Sequence, residues 1–447
     1  MSGMPPSGRP ALPILVRQLE RSQWAPPGAI EASQFRHLVR LAEHAQRSSP
    51  GFAARLAHAG LTPHDLADCD GLAALPLLTR RDIQRAGAEL FCTAVPPGHG
   101  AVHDTTTSGS TGEPVTVRIT EVSGLFWLAM AMRQLQWHQR TLSGRLCTID
   151  PRHDRYERRS DWGAPASGFA ATGPALRLPI SADVAQLAAW VEDFSPSFLV
   201  IYPSALAALT WHCRRRGIRL PDLEQILTIG ETLSSRVRAD AAAVFGVTVV
   251  DLYSSQEFGH IALECPVSGL YHVMAESVLV EVVGDHGRRC AEGEVGHVVV
   301  TDLHNYATPL VRYRIGDYAE VGPACPCGRG LPTLTRIAGR ERNLMRFPDG
   351  RRRWALTGFY YCRDVAPVLQ YQLVQQDETT IDVRLVVERP LLAAEEDALR
   401  ALLHEWAGFP FTLRFQYFDD RLPHGRSGKL ESFVCNIPEP AVWAETA

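Results

Sequence analysis

Apolar residues fall at helical spacing over residues 33 to 47 and 53 to 59, and "LPLLTRRDIQRAGAELF" reads as an extended entry followed by an amphipathic helix. The opening segment is therefore predicted to be mostly helical. From about residue 100 to 340 the pattern changes. Short apolar runs ("RLCTID", "FLVIY", "QILTIG", "VTVVDLY", "VGHVVVTDL") alternate with helical stretches at 183–193, 204–216 and 233–245. That alternation predicts an α/β fold, with a strand ending near Asp251. After Arg340 the order becomes "VLQYQLVQ", a turn at Asp377-Glu378, "TTIDVRLVVE", a helix over 392–406, then "FTLRFQYF". A hairpin, a helix and a strand make a small α+β unit of about 100 residues, at the low end of common domain sizes. There are no internal repeats, and low complexity is confined to the first ten residues and the arginine run 351–353.

Length and composition set the scale. At 447 residues and 45% hydrophobic content the chain buries a large core, and chains beyond roughly 250–300 residues usually split into domains. Two are expected, 1–340 and 341–447. Net charge is -4 with no block of like charge, which gives no electrostatic footprint for nucleic acid or a membrane surface. The first twenty residues hold no apolar core of signal-peptide length, and the apolar stretch "FLVIYPSALAAL" is cut by Pro203. A cytoplasmic protein with a small soluble partner is expected. Ten cysteines without a paired framework read as thiols or metal ligands rather than disulfides.

Chemistry concentrates in a few stretches. "DTTTSGSTGEPVTVR" packs hydroxyls at Thr107, Ser108, Ser110 and Thr111 around Gly109 and Gly112, between an extended segment and a β-branched run. Such a bend can turn backbone N–H groups inward as an anion nest, with a phosphate as the ligand. No lysine follows the second glycine, so this is not a P-loop. The plainer alternative is a flexible hydroxyl-rich turn. "VVDLYSSQEFGHIALEC" offers Tyr253, Ser254, Ser255 and Glu257: a ring to stack on a base, hydroxyls, and a carboxylate to hold Mg²⁺ between phosphate oxygens. A core tyrosine and a solvated glutamate are the rival reading. In "NYATPLVRYRIGDY", Arg312, Arg314 and Asp317 suggest a polar cluster near a cleft, where Asp317 can accept both hydroxyls of a ribose; structural ion pairing is the alternative. "GRERNLMR" marks a natural boundary, and "DRLPHGRSGKLESF" places Lys429 in a glycine-rich loop able to enter a cleft. Cys265 and His272, with Cys325 and Cys327 about 50 residues on, supply three thiolates and an imidazole for a closed tetrahedral Zn²⁺ shell of structural type; free buried cysteines are the alternative.

In order and spacing these pieces resemble the adenylate-forming superfamily of acyl-CoA synthetases, nonribosomal adenylation domains and luciferases, and within it the phenylacetate-CoA ligase-like branch. "TTTSGSTGEPV" resembles its phosphate loop, "IGETLS" its adenine-contact turn, "LYSSQEFG" its Tyr-x-x-x-Glu motif, "RYRIGD" its ribose motif, "GRERN" its hinge and "GRSGK" its catalytic-lysine loop. The resemblance covers nearly the whole chain. It implies a large N-terminal adenylate-forming domain of mixed sheets and helices and a small mobile α+β C-terminal lid. ATP would be held by residues 107–112, by Gly230, Glu231 and Thr232 against the adenine, by Tyr253 and Ser254, and by Asp317 with Arg340 on the ribose. Glu257 would hold Mg²⁺, and Lys429 would bridge acyl and α-phosphate oxygens. The hinge would lie at Arg342. The acyl pocket would draw on Tyr202, Pro203, Ser204, Ile229, Trp127 and His138, whose rings suit an aryl acid. Members with the same Cys/His set support the Zn²⁺ site.

The implied reaction is ATP-dependent conversion of a small carboxylic acid to an acyl adenylate, with release of pyrophosphate and transfer to CoA. Four departures stand out, one of them Arg342 at a hinge that is commonly aspartate or lysine. Ser254 replaces the usual glycine, Gln256 replaces Ser or Thr, and "NLMRFPDGRRRWALTGF" reads as a hairpin turning at Pro348-Asp349-Gly350 where CoA ligases carry a glycine loop. The last keeps open an amide or ester synthetase that uses an amine or hydroxyl acceptor. A non-catalytic nucleotide-binding relic is the reading from another class, disfavoured because Glu257, Asp317, Arg340 and Lys429 are all present. Partners expected are the acid, ATP and CoA or another small nucleophile, with a second copy of the chain as a candidate.

Overall fold

The computed structural model describes residues 11–107, 114–285, 287–354, 362–419, 422 and 432–437. Two compact units divide the chain between Ile337 and Ala338. The first opens on helices α1 (Ala11–Ser22), α2 (Pro27–Ser48), α3 (Pro50–His58), α4 (Cys69–Ala74) and α5 (Arg80–Ala86). Helix α2 starts before the apolar repeat at 33, because Pro27 at its first position needs no intrahelical partner for its nitrogen. Thr79 and Asp82 form a reciprocal capping box that starts α5. The extended entry expected at "LPLL" is reduced to one bridge, Leu78 to Tyr313.

Strands β1 (Val102–Thr107) and β2 (Val115–Thr120) form an antiparallel ladder from Val102↔Thr120 to Thr107↔Val115. Thr120 then caps helix α6 (Glu121–Trp137) by accepting the Ser123 N–H.

The rest of this unit is organised on one twelve-stranded sheet among the described residues. In chain order it comprises β3 (Leu146–Asp150), β4 (Glu157–Arg159), β5 (Ala175–Pro179), helix α7 (Val184–Phe194), β6 (Phe198–Ile201), helix α8 (Pro203–Arg216), β7 (Gln225–Ile229), helix α9 (Ser235–Phe245) and β8 (Thr248–Ser255). It continues with β9 (Gly259–Glu264), β10 (Tyr271–Val273), β11 (Val278–Val283), β12 (Val295–Asp302), β13 (Tyr313–Val321) and β14 (Thr333–Arg340). The spatial order is β11-β12-β13-β14-β10-β9-β8-β7-β6-β3-β5-β4. Strands β5, β3, β6, β7 and β8 are parallel neighbours, linked in part by α7, α8 and α9. Strands covered on both faces need apolar residues throughout, which is why "FLVIY" and "QILTIG" read as continuous runs. Residues such as Leu199, Ile201, Ile226 and Val250 fill that core. Strand β8 does not stop at Asp251. Strand β9 turns back against it from Leu252↔Leu263 to Ser255↔Gly259, so pairing carries the extended chain four residues further.

The second unit contains the expected hairpin at its start, β15 (Leu344–Arg346) against β16 (Arg352–Trp354), followed by α10 (Cys362–Val365). Then come β17 (Val368–Gln375), β18 (Thr380–Val387), α11 (Ala393–Ala407), β19 (Thr412–Phe418) and β20 (Phe433–Cys435). The sheet order is β19-β18-β17-β20, with β17 and β18 antiparallel and β19 parallel to β18 after the α11 crossover. Leu399, Leu403 and Ala407 of α11 belong to the same core cluster as Ile381, Val383 and Leu385 of β18.

A candidate nucleotide cleft and a cysteine-histidine knuckle

Open parallel sheets bind ligands beyond the carboxyl ends of their strands. Here Ile201 pairs with Thr228, Thr228 with Asp251, and Ile229 with Leu252. Tyr202, Gly230 and Tyr253 therefore emerge at neighbouring positions at that end of β6, β7 and β8. At Gly230, φ is +77°, and a Cβ there would lie 2.4 Å from Cε1 of Tyr202. The turn 230–232 is thus laid directly against the tyrosine ring. Tyr202 is buried, and its hydroxyl is pushed up to about 12 by desolvation, then by the negative charges of Asp150 and Glu231. Asp150 ends β3 and is fully buried against the Arg152 guanidinium.

The Glu231 carboxylate accepts the Ser204 backbone N–H at 2.9 Å and the Ser204 hydroxyl at 3.1 Å. Ser204 follows Pro203 in the first turn of α8, so this carboxylate neutralises the positive end of the helix. Ser204 and Glu231, assigned separately from the sequence to acyl pocket and adenine turn, are in fact one hydrogen-bonded pair. Ile229 and Thr232 are half-buried beside them.

Tyr253 is buried, and its hydroxyl donates to Asp317 Oδ2 at 2.8 Å. The base-stacking and ribose residues of the sequence reading are thereby joined, although 64 positions separate them. Tyr253 and Ser254 lie on strand β8 rather than in the loop expected after Asp251, because β9 pairs with them. Glu257 follows in the turn to β9 and is 7% exposed, with no basic side chain paired to it among the described residues. Burying an unpaired carboxylate is costly, and a bound cation removes that cost. Two further acyl-pocket candidates separate. Trp127 lies against Gly259, where a Cβ would come 2.6 Å from the indole Cγ. His138 caps the far end of α6, eleven residues or about 16 Å along the helix. Its Nε2 bonds the Glu264 carbonyl at 3.0 Å, so His138 belongs beside the knuckle rather than with Trp127.

Arg312 also departs from a cleft role. Its guanidinium donates to the carbonyls of Ala73 and Leu75, each at 2.6 Å, and to Glu281 at 3.2 Å. The structural ion-pair alternative holds for this residue. Arg340 is the exposed last residue of β14, and Arg342 falls in the helical turn Glu341–Asn343. Thr107 ends β1; Ser108, Gly109, Ser110, Thr111, Gly112 and Lys429 lie outside the described residues.

The second site is compact. One ligand atom each from Cys265, His272, Cys325 and Cys327 lies within 4.8 Å of every other. The Sγ atoms of Cys265 and Cys325 are 3.7 Å apart, and His272 Nε2 is 3.2 Å from Cys327 Sγ. Two thiolates on a tetrahedral zinc at about 2.3 Å stand about 3.8 Å apart, so the spacing fits that ion. His272 Nδ1 faces the Leu331 carbonyl at 3.3 Å, a partner that fixes the ring with Nε2 toward the thiols. Burial holds this imidazole down at about 4, keeping it neutral as a ligand must be.

Residues that sequence reasoning missed surround Asp251. Glu264 and Tyr271 bond to it and Arg238 holds Glu264, from three separate segments, and no local motif announces a cluster assembled from such distances.

No protein-family profile matches the chain. A phenylacetate-coenzyme A ligase of Pseudomonas putida is 25% identical over 346 residues, spanning 73% of this chain and 74% of that protein. One from Thermus thermophilus is 26% identical over 334 residues, 72% of each. Among solved structures, 2-hydroxyisobutyryl-CoA ligase in the postadenylation state matches with a TM-score of 0.71 at 18% identity, covering 93% of this chain and 92% of that one. That likeness establishes the fold, and the curated relatives that the chain is similar to are phenylacetate-CoA ligases, the branch of the adenylate-forming superfamily that the motifs resemble.

Proposed function

We propose that the protein is a ligase that activates a small carboxylic acid as its acyl adenylate and then transfers the acyl group to CoA. The observation that carries this reading is the set of groups beyond β6, β7 and β8: the Gly230 turn on the Tyr202 ring, the Tyr253–Asp317 pair, and the buried Glu257, which no basic side chain pairs among the described residues. A carboxylate cannot be substituted directly, since oxide would have to leave. Its oxygen instead attacks the α-phosphorus of ATP, and the bond to pyrophosphate breaks. The CoA sulfur then attacks the acyl carbonyl and AMP departs. No covalent enzyme intermediate is needed, so the residues contribute positioning and charge neutralisation. Asp317, oriented by Tyr253, accepts the ribose hydroxyls together with Arg340, and the backbone of 230–232 meets the adenine. Residues 107–112 hold the phosphates, Lys429 supplies positive charge to the acyl and α-phosphate oxygens, and Arg342 marks the hinge. Mg²⁺ on Glu257 would neutralise phosphate charge. Zn²⁺ at the knuckle would have no open position and so a structural role.

Tyr202, laid against Gly230, and Trp127, laid against Gly259, support an aryl acid. The ten free cysteines support a reducing, cytoplasmic setting, and among the described residues no helix is long and apolar enough to cross a membrane. A second reading, transfer to an amine or hydroxyl, is favoured by one observation: the β15–β16 hairpin occupies residues 344–354, where a glycine loop is expected in CoA ligases.

Pyrophosphate release from ATP and Mg²⁺ with a panel of aryl acids tests the first step. Lys429→Ala is expected to slow it by ~10²–10³. A variant as fast as the parent would sink the assignment. Mass detection of a thioester, with and without CoA, separates the two acceptors.

A further inference from the structure

The knuckle and the cleft are joined by a buried network that the proposed chemistry does not use. Glu264 precedes Cys265 and Tyr271 precedes His272, and the two residues face each other directly across the β9–β10 ladder. Both reach the same residue of β8. The Tyr271 hydroxyl donates to Asp251 Oδ2 at 2.8 Å, and the Glu264 carboxylate accepts the Asp251 backbone N–H at 2.6 Å. Arg238 of α9 closes on Glu264 with two bonds of 2.8 and 2.9 Å, and also donates to the Val249 carbonyl. The remaining Asp251 oxygen accepts the Thr228 hydroxyl. Asp251, Glu264 and Tyr271 are all buried.

Asp251 stands two residues before Tyr253, so the two side chains share one face of β8. Tyr253 in turn holds Asp317. A continuous path of bonds therefore runs from two knuckle ligands, through Tyr271 and Glu264, to Asp251 and the residues assigned to the nucleotide. A metal that fixes Cys265 and His272 fixes the end of the β9–β10 ladder, and with it the spacing at which Tyr271 and Glu264 span Asp251. With that end released, the grip on β8 loosens just below Tyr253.

We propose that Tyr271, Glu264 and Arg238 are positioning residues that couple metal at the knuckle to nucleotide in the cleft, so that each ligand slows the release of the other. The inference rests on the nucleotide-binding reading above. Coupling of the two affinities is reciprocal by linkage, and slower release is its readout where the rate of entry is unchanged. Spatial continuity alone does not establish coupling, so the test perturbs the path and not merely the fold.

Zinc release from the zinc-loaded full chain into a chromogenic chelator would be timed with and without saturating AMP, for the parent, Tyr271→Phe and Thr228→Val. AMP binding would be measured separately by equilibrium dialysis. In the parent, AMP is expected to slow zinc release at least about fivefold, the lower end of ordinary coupling. Thr228→Val removes a bond to the same carboxylate but no tie to the knuckle, and should keep the full AMP effect. Tyr271→Phe should hold one zinc, bind AMP more weakly, and lose the effect of AMP on release. A general loosening of the core would lower the effect in both variants alike, and that result overturns the proposal. So does AMP that binds the parent without changing zinc release, an undiminished effect in Tyr271→Phe, or a chain that retains no zinc. Failure of AMP to bind the parent at all would overturn both this inference and the nucleotide reading beneath it.

Discussion

At Gly230 two costs of adding a single methyl group can be told apart. The backbone sits at φ +77°, where an L side chain is strained by roughly 1–2 kcal/mol, and the new Cβ would press on the Tyr202 ring at 2.4 Å from Cε1. The strain stays within the turn, but the contact must be relieved by moving the ring or the turn. Since the turn is the proposed adenine contact, Gly230→Ala should lower the thermal midpoint and weaken AMP binding about tenfold, equivalent to ~1.4 kcal/mol. Calorimetric unfolding and a direct AMP titration give the two quantities separately. A variant that loses stability but keeps parental AMP affinity would show that the turn is structural and does not meet the base. Glu231, next in sequence, shows why neighbouring residues need not share a role: its carboxylate is spent on Ser204 at the start of α8.

Between elements, a long-range stitch is made by Arg312. Its backbone adopts φ +54°, rare for a residue with a side chain, and its own N–H donates to the Thr301 hydroxyl at 2.9 Å. That geometry sends the guanidinium onto carbonyls at the C-terminal end of α4, Ala73 and the capping Leu75, and onto the buried Glu281 of β11. Removing one partner of a buried pair leaves the other uncompensated and commonly costs about 3–5 kcal/mol, whereas replacing both with apolar groups is often close to neutral. Arg312→Met should therefore depress the thermal midpoint strongly, and adding Glu281→Met should recover a large part of the loss. Additive destabilisation in the double variant would mean that the carbonyl contacts, not the ion pair, dominate. The same stitch illustrates what the sequence made legible. Strands β6 and β7, helices α7 to α9 and the hairpin at Asp349-Gly350 were readable because each is specified by local period or turn chemistry. The grouping of the four knuckle residues was readable because three cysteines and a histidine are the residue types that cluster as one set. Arg312 with Glu281, Tyr253 with Asp317 and Arg238 with Glu264 were not, because each pair is created by sheet order. The extension of β8 past Asp251 was hidden for a similar reason: its hydrogen-bond partners are supplied by the strand that returns.

For the molecule as a whole, burial of neutral imidazoles sets the response to acid. Desolvation holds His260 and His304 down at about 4, and holds His138 there too with help from the nearby Arg140 charge, all from an ordinary 6.5. Between those limits the unfolded chain binds a proton at each site that the folded chain refuses, so stability is lost as pH falls through 6.5 toward 4. Asp251 and Asp302 work in the opposite sense. Burial raises both from 3.8 to about 6, so the folded state takes up protons there first and gains relative stability as pH falls below 6. With His272, likewise held at about 4, four imidazoles against two carboxyls leave about two net protons near pH 5, or about 2.7 kcal/mol of stability per pH unit. Near pH 6 the folded carboxyls are only about half protonated, so their opposing uptake is incomplete and the decline should be steepest there. His304 is the site to remove, since its Nε2 bonds the Glu276 carbonyl at 2.7 Å and its ring stacks on Phe126. His304→Gln keeps a donor for that carbonyl and removes the titration. Denaturant unfolding from pH 7 to 5 should show the parent losing stability and the variant losing it with a slope shallower by about one proton. Parallel pH curves for the two proteins would show that His304 is not among the groups responsible.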